Sequence, residues 1–289
     1  MSDPQLAAFQ TAIADRWVID NDGGRGSRAT VYRARDVASG EAVAIKVFRS
    51  DLASALDGTR FLAQMRTTAG IRHENIVPIL EVNEMAGRLF VVMPFVDGES
   101  LRNRLRRDPR LPLSEAVAIV RQVADALGQA HAEGALHKDV KPENIFISGP
   151  GPRALLMDLG VARAISRSID ETMTGSGLAL GTPAYMSPEH ARGGVEIDAR
   201  ADLFSLGCVF YEMLAGEPPF AGDKAFIVLK KTLTETPVPV TTIRDTLPPD
   251  VDVTLDRLLA KAPAARYPDA AQLVDALSAL ASRAPTAHA

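Results

Sequence analysis

Apolar residues at the start of the chain are spaced as on one face of a helix. These residues are Leu6, Phe9, Ile13 and Trp17. Their spacing predicts an amphipathic helix within residues 1–16. A helix docked on the domain that follows explains this pattern better than a site for a partner protein does.

The pattern then changes to that of β-strands. Alternating and β-branched residues at 30–34 and 41–47 predict two strands, with Gly40 at the turn between them. The apolar run at 89–93 predicts another short strand, and residues 56–70 predict a helix. This part of the chain therefore reads as a small β-rich lobe with one helix.

Helical patterns dominate beyond a short connector at residues 94–98. A long helix is predicted to begin with Ser114 as its N-cap and to end at Gly134. Further helices are predicted at 187–192, 201–215, 224–235, 252–262 and 269–282. Residues 170–182 are rich in Thr, Ser and Gly, which predicts a mobile surface loop.

These elements together predict an α+β fold with two lobes. The expected divisions are an N-terminal helix at 1–16, a β-rich lobe at 17–93, a hinge at 94–98, a larger and mostly helical lobe at 99–282, and a C-terminal tail at 283–289.

Charge and composition exclude several classes of function. Lys and Arg number 32 against 36 Asp and Glu, so the chain lacks the basic excess expected of a nucleic-acid-binding domain. It contains no apolar run of the roughly 18 residues that a membrane helix needs, and no signal peptide pattern. We therefore expect a cytoplasmic protein, or a soluble piece of a longer one, with the single Cys208 buried as a small apolar residue.

A glycine-rich segment followed by a strand lysine suggests a phosphate site. Gly24 and Gly26 would let backbone amides approach phosphate oxygens, although Ala29 stands where a third glycine would complete Gly-x-Gly-x-x-Gly. Lys46 lies fifteen residues after Val31, inside an apolar strand. Taken singly, the glycines could form an ordinary turn and the lysine could reach solvent, but together they indicate phosphate binding.

The segment 136–147 carries the strongest chemical signal. Asp139 can orient an attacking hydroxyl and accept its proton, and Lys141 can neutralise a transferring phosphoryl group. Asn144 can offer an oxygen ligand to Mg²⁺, and Asp158 stands at the end of a later apolar run with no packing role. The order of these residues indicates phosphoryl transfer.

These motifs together resemble the protein kinase superfamily, and most closely the bacterial serine/threonine protein kinases. The resemblance extends from about Trp17 to Leu280. It implies that the glycine-rich loop covers the phosphates of ATP and that Lys46 holds the α- and β-phosphates. The remaining positions that it assigns to the nucleotide are Val31, Ala44, Met93, Phe95, Val96 and Phe146, around the adenine ring.

The resemblance also assigns the catalytic and metal-binding roles. Asp139 matches the catalytic aspartate, and Lys141 marks the serine/threonine branch. Asn144 and Asp158 match the residues that bind Mg²⁺, for which Mn²⁺ is an alternative. Asp202 is expected to hold the backbone of the catalytic loop, which is the loop that contains Asp139, Lys141 and Asn144.

A segment that resembles the peptide-seating part of these kinases runs from Gly181 to Glu189. Within it Thr182 is expected to contact Asp139, and Glu189 to form a buried ion pair with Arg266. The candidate phosphorylation sites, each with the alternative of being an ordinary loop hydroxyl, are Thr172, Thr174 and Ser176.

Besides the changes in the glycine-rich loop, the chain departs from the family pattern at three places. Gln64 stands where a helix glutamate usually pairs with Lys46, which would leave a weaker pair without charge. Lys138 replaces the arginine before the catalytic aspartate, and Leu159 replaces the phenylalanine of Asp-Phe-Gly.

Three functions are consistent with these residues. The first is an active kinase that phosphorylates Ser and Thr in proteins, including itself, in trans through a transient homodimer. The second is a pseudokinase, suggested by Gln64 and the altered glycine loop. The third is a small-molecule phosphotransferase, against which the peptide-seating segment argues.

Overall fold

The computed structural model describes residues 4–26, 29–149, 151–168, 183–193 and 197–283. It divides into two compact units. The N-terminal unit comprises Met1–Arg72, Val77–Asp97 and Gly160–Leu178, and the C-terminal unit comprises His73–Ile76, Gly98–Leu159 and Ala179–Ala289.

Strands and helices follow one another much as the apolar pattern predicts. The strands are β1 Trp17–Arg25, β2 Ala29–Asp36, β3 Ala42–Phe48, β4 Glu81–Met85, β5 Arg88–Pro94, β6 Glu99–Ser100, β7 Ile145–Ser148 and β8 Arg153–Leu156. The helices are α1 Pro4–Ile13, α2 Ser50–Ala55, α3 Gly58–Thr68, α4 Leu101–Arg107, α5 Leu113–Ala132, α6 Val161–Ser168, α7 Pro188–Ala191, α8 Ala199–Ala215, α9 Ala225–Thr234, α10 Val240–Ile243, α11 Asp250–Leu258 and α12 Ala270–Arg283.

An antiparallel sheet in the order β1-β2-β3-β5-β4 forms the N-terminal unit. One face of this sheet is covered by α1, as the helical spacing predicted. Phe9 and Ile13 are fully buried there, and the Phe9 and Phe90 rings meet edge to face with centroids 5.3 Å apart. The Trp17 ring also packs edge to face on Phe90, with centroids 5.9 Å apart. The helix therefore completes the hydrophobic core on this face.

The opposite face of the sheet carries α3. The Phe48 ring on β3 packs edge to face on Phe61 of α3, with centroids 5.1 Å apart. Asp57 caps the helix, because its side chain accepts a hydrogen bond from the Arg60 amide at 3.1 Å. The helix predicted at 56–70 corresponds to α3, whereas α2 and α6 were not predicted from the sequence.

The C-terminal unit is built around α8, which is buried from Ala201 to its last residue, Ala215. It packs against α5 and α11, and α12 packs against α5. Cys208 of α8 is fully buried, and that burial raises the pKa of its thiol. A second small sheet, in the order β6-β7-β8, carries the catalytic-loop segment of this unit.

The predicted N-cap of the long helix was wrong. The helix α5 begins at Leu113, and Pro112, two residues before Ser114, occupies the N-cap position without a side-chain hydrogen bond. Proline, with φ fixed at −56°, starts this helix where a Ser hydroxyl was expected to. The predicted end is confirmed, because Gly134 adopts φ +72° directly after the last turn.

Two further predictions concern membrane-spanning helices and the surface loop at 170–182. No helix in the described ranges has both the length and the apolar composition that crossing a bilayer requires. The loop predicted at 170–182 lies outside the described residues, as do the candidate phosphorylation sites within it.

Candidate active site

The N-terminal unit brings its predicted nucleotide-binding side chains to one face of the sheet. Val31 on β2 and Val91 on β5 lie directly opposite Lys46 on β3. Ala44 is two residues before Lys46 and lies opposite Met93. Directly paired residues and residues two apart on one strand share a face. These side chains therefore point away from α1, toward the side that carries α3.

The glycine-rich segment forms the end of β1 and the turn into β2. Gly24 adopts φ +152°, which side-chain-bearing residues rarely do. The Gly26 amide donates a hydrogen bond to the Ala29 carbonyl at 2.8 Å and so closes the turn. Ala29 is buried at the start of β2, so it occupies the third glycine position without disrupting the strand. Residues 27–28 lie outside the described residues.

The hinge follows β5, and its backbone is only partly available to a ligand. The Phe95 amide donates to the Ala42 carbonyl at 3.1 Å, so this amide is not a donor for adenine. The Arg33 guanidinium lies 4.6 Å from the centre of the Phe95 ring, as a cation–π contact. A hydrogen bond from the Phe95 amide to adenine is thus ruled out, while the predicted contact at Val96 stays a prediction.

Asp202 holds the catalytic loop of the C-terminal unit, as predicted. Its buried carboxylate accepts hydrogen bonds from the backbone amides of His137 at 2.9 Å and Lys138 at 2.7 Å. The His131 ring lies 2.8 Å away. Burial opposes ionisation, but the His131 and His137 contacts outweigh it and lower the pKa of Asp202. Lys138 is thereby kept at φ +62°, a strained conformation typical of functional loops.

His137 connects the catalytic loop to the segment that ends in Asp158. Its Nε2 lies 2.8 Å from the Met157 carbonyl, and its Nδ1 accepts the Asp139 amide at 3.3 Å. Only the neutral tautomer with a proton on Nε2 satisfies both contacts. The Met157 amide in turn donates a hydrogen bond to the Asn144 carbonyl at 2.9 Å.

Two predicted catalytic side chains and one predicted metal ligand meet in this loop. The Lys141 ammonium lies 2.7 Å from Asp139 Oδ2. The Asn144 amide nitrogen donates to the Asp139 carbonyl at 2.7 Å and to Asp139 Oδ2 at 3.2 Å. The Asp139 and Lys141 side chains are only 13% and 14% exposed, so the pair interacts in a partly desolvated setting.

Asp158 and Phe146 flank this loop. Asp158 adopts φ +62° two residues after β8 ends, and Leu159 beside it is buried. Phe146 lies on β7, opposite Leu155 of β8. A left-handed aspartate is energetically costly, and such strain is concentrated at functional sites.

A charged cluster next to the catalytic loop had no signal in the sequence. Arg102 of α4 donates from Nε to Glu143 at 2.8 Å and from Nη1 to Glu212 at 2.7 Å. It also hydrogen-bonds the Tyr185 hydroxyl, which donates to Glu212 at 2.5 Å. Burial, and then Glu212, raise the pKa of Tyr185, so it stays a neutral donor. Through Glu143 the cluster contacts the short helix Pro142–Asn144, in which Asn144 lies.

The predicted ion pair between Glu189 and Arg266 is confirmed. It is bidentate, with nitrogen–oxygen distances of 2.7 and 2.8 Å. The Arg266 side chain is fully buried and its other donors reach backbone carbonyls. The predicted contact of Thr182 with Asp139 involves a residue outside the described ranges.

Comparison with known proteins identifies the class of protein that this arrangement defines. Residues 17–277 match the family described as "Protein kinase domain", so the chain belongs to the protein kinases. The helix α1 precedes the matched region.

The chain is similar to serine/threonine protein kinases of bacteria. It is 39% identical over 266 residues to "Serine/threonine-protein kinase PknB" of Mycobacterium leprae (strain TN), covering 90% of this chain and 42% of that protein. It is 36% identical over 286 residues to "Probable serine/threonine-protein kinase PknB" of Corynebacterium glutamicum, covering 96% and 44%. The chain thus spans less than half the length of these curated relatives.

A solved structure has the same fold. The crystal structure of the Mycobacterium tuberculosis PknI kinase domain matches with a TM-score of 0.71 at 27% identity, over 91% of this chain and 95% of that one. The predicted α+β kinase fold is therefore confirmed.

Proposed function

We propose that the chain is a catalytically active domain that transfers the γ-phosphate of ATP to Ser or Thr hydroxyls of proteins. The observation that carries this proposal is the contact of both Lys141 and Asn144 with Asp139. A pseudokinase has no need to keep these three side chains together. The names of the relatives also favour the active enzyme.

Asp139 is proposed to orient the hydroxyl and to accept its proton as the new oxygen–phosphorus bond forms. The bond from the γ-phosphorus to its bridging oxygen breaks, and ADP leaves with that electron pair. Lys141, 2.7 Å from Asp139, can move its positive charge onto the transferring phosphoryl group. The neutral His137 holds the Asp139 amide and so fixes the position of this aspartate.

Asn144 and Asp158 are proposed to hold Mg²⁺, or Mn²⁺ as an alternative. Because the Asn144 amide nitrogen donates to the Asp139 carbonyl and to Asp139 Oδ2, the side-chain oxygen of Asn144 is the atom proposed to bind the cation. The described residues contain no cluster of three or more His, Cys, Asp or Glu that could hold a metal unaided. Mg²⁺ is commonly held by one or two protein oxygen ligands, with the oxygens of substrate phosphates completing its coordination. When bound, it would neutralise the charge of those phosphates.

The N-terminal unit is proposed to hold the nucleotide. Lys46 would contact the α- and β-phosphates, beneath the turn at Gly24, Gly26 and Ala29. The adenine contacts would come from Val31, Ala44, Met93, Phe95, Val96 and Phe146. The sharing of one sheet face by Lys46 and three of these side chains supports this assignment.

The proposed substrates are proteins. The chain is also proposed to phosphorylate itself in trans through a transient homodimer, and to be located in the cytoplasm, where ATP and Mg²⁺ are available. Thr172, Thr174 and Ser176 remain the proposed phosphorylation sites. The domain division at 16, 93, 98 and 282 is likewise proposed.

Intact mass spectrometry of purified protein incubated with Mg-ATP tests the proposal. We expect added phosphate in the wild type and in Asp223→Asn, an exposed control, but none in Asp139→Asn. A protein that gains no phosphate and leaves a generic substrate protein unlabelled would be a pseudokinase.

A further inference from the structure

Arg33 lies on the face of the sheet that is proposed to hold the nucleotide. It follows Val31 by two positions on β2, and it lies directly opposite Ala44 on β3. Residues two apart on one strand, and residues paired directly across two strands, share a face. Arg33 therefore shares the face of Val31 and Ala44, although the family resemblance assigned it no role.

The guanidinium of Arg33 contacts the hinge through the Phe95 ring. Its central carbon, Cζ, lies 4.6 Å from the centre of that ring, within the range of a cation–π contact. The backbone of Phe95 is held separately, because its amide donates to the Ala42 carbonyl at 3.1 Å. All three residues belong to the N-terminal unit. Two strands of this unit, β2 and β3, thus fix the side chain and the backbone of Phe95.

Hydrogen bonding does not account for the position of the Arg33 guanidinium. Its Nε is buried and has no hydrogen-bond partner among the described residues. The Asp20 carboxylate lies 3.9 Å from Nε, too far for a hydrogen bond, and the two side chains are 42% and 33% exposed. A buried donor without an acceptor costs stability, and an ion pair exposed to solvent contributes little. Within the described ranges, the ring contact with Phe95 is therefore the interaction that best explains where the guanidinium lies.

We propose that Arg33 is a positioning residue for the nucleotide base, and that it acts by holding the Phe95 ring in the orientation that binds adenine. Phe95 is one of the residues proposed to contact adenine, so a ring that left this orientation would bind the base less tightly. The apparent dissociation constant of a ligand rises as the binding-competent orientation becomes less populated. This inference rests on the proposed nucleotide site, but it does not depend on phosphate transfer.

The test is the binding of ADP with Mg²⁺ to Arg33→Met, measured by isothermal titration calorimetry. Methionine keeps an apolar stem on β2 but removes the guanidinium. A cation–π contact at a partly exposed site corresponds to a factor of about 3–10 in the population of the contacting orientation. We therefore expect the dissociation constant for ADP to rise by about the same factor. In kinase assays the KM for ATP should rise likewise, while kcat at saturating ATP should stay unchanged.

Three comparisons separate ring positioning from attraction between charges. Arg35→Met removes the same charge two residues further along β2, at an exposed position, and should bind ADP as the wild type does. Adenosine has the base but no phosphate, so Arg33→Met should weaken its binding by the same factor as that of ADP. In the Phe95→Leu background Arg33→Met should have no further effect, because the ring on which Arg33 acts is absent.

Several results would overturn the inference. An unchanged dissociation constant in Arg33→Met would show that Arg33 does not serve the base. A loss seen with ADP but not with adenosine, or an equal loss in Arg35→Met, would assign the effect to charge. An equal loss with and without Phe95→Leu would separate Arg33 from the ring. A wild type that binds ADP but transfers no phosphate would contradict the proposed function alone, because these binding measurements need no transfer.

Discussion

The substitution Glu189→Gln isolates the charge of the buried ion pair with Arg266. The Arg266 guanidinium is fully buried and donates to both Glu189 oxygens at 2.7 and 2.8 Å. Its other hydrogen bonds reach the carbonyls of Ala260, Arg200 and Lys261. Glutamine would keep the shape but leave a buried positive charge with neutral partners only.

Breaking a buried pair in this way typically costs about 3–5 kcal/mol. The Glu189 side chain is 13% exposed, so some hydration of the site favours the lower end of that range. For a unit of this size each kcal/mol corresponds to roughly 2–4 °C in Tm. We therefore expect the variant to unfold about 6–12 °C below the wild type.

The assay is thermal unfolding followed by far-UV circular dichroism, with Glu99→Gln as the control. Glu99 pairs with Arg107 on the surface, where such a pair contributes only about 0–1 kcal/mol. A Tm for Glu189→Gln no lower than that of the control would refute the reasoning.

The pH dependence gives the same prediction a second check. Burial raises the pKa of Glu189, but the hydrogen bonds from Arg266 outweigh this and lower it below its usual value. A lowered pKa means that the stabilisation is complete above the ordinary carboxyl range and is lost as pH falls through the folded-state value. The difference between wild type and variant should therefore shrink below about pH 4.

Two further substitutions probe the cores of the two units. Phe9→Ala removes a fully buried ring that packs on Phe90, and it should lower the free energy of unfolding by about 3–5 kcal/mol. The fluorescence emission of Trp17, the only tryptophan, should shift to the red. An unchanged Tm would contradict the role of α1. Lys261→Met removes an ammonium that, among the described residues, is buried without a hydrogen-bond partner, and whose pKa burial lowers to about 8. Because the folded state disfavours the charge, the wild type gains stability as pH rises through that value, so the methionine variant should have the higher Tm near neutral pH and lose this advantage in alkali. A lower Tm for this variant at neutral pH would instead assign a net stabilising role to the Lys261 contact with Phe220, at 3.8 Å.

The local chemistry of the site could be predicted from sequence because its parts are close together along the chain. Asp139, Lys141 and Asn144 lie within six residues, and the structure brings them into contact. The strands were predictable for a similar reason, since alternation is a local property of consecutive residues. The Glu189–Arg266 pair, 77 residues apart, was expected only from the family resemblance.

Features that depend on packing between distant segments could not be predicted. The segment Val161–Ser168 has buried residues at helical spacing, but eight residues are too few to form a stable helix alone, so its helix depends on burial against α3. Arg102 reaches Glu212 across 110 positions of sequence, with no pattern to connect them. The start of α5 was missed because a proline with a suitable φ replaced the expected hydroxyl cap.

The burial of Cys208 has a practical consequence for following how the molecule opens. Its thiol is the only one in the chain, and it lies at the centre of the C-terminal unit with its pKa raised, so it should be unreactive toward alkylating reagents while α8 stays packed. The alkylation rate of the unmodified protein then measures how often the C-terminal unit opens. The alkylation rate of Cys208 can be compared with the rate of proteolysis or of amide exchange in the N-terminal unit. The comparison would show whether the two units unfold together or one at a time.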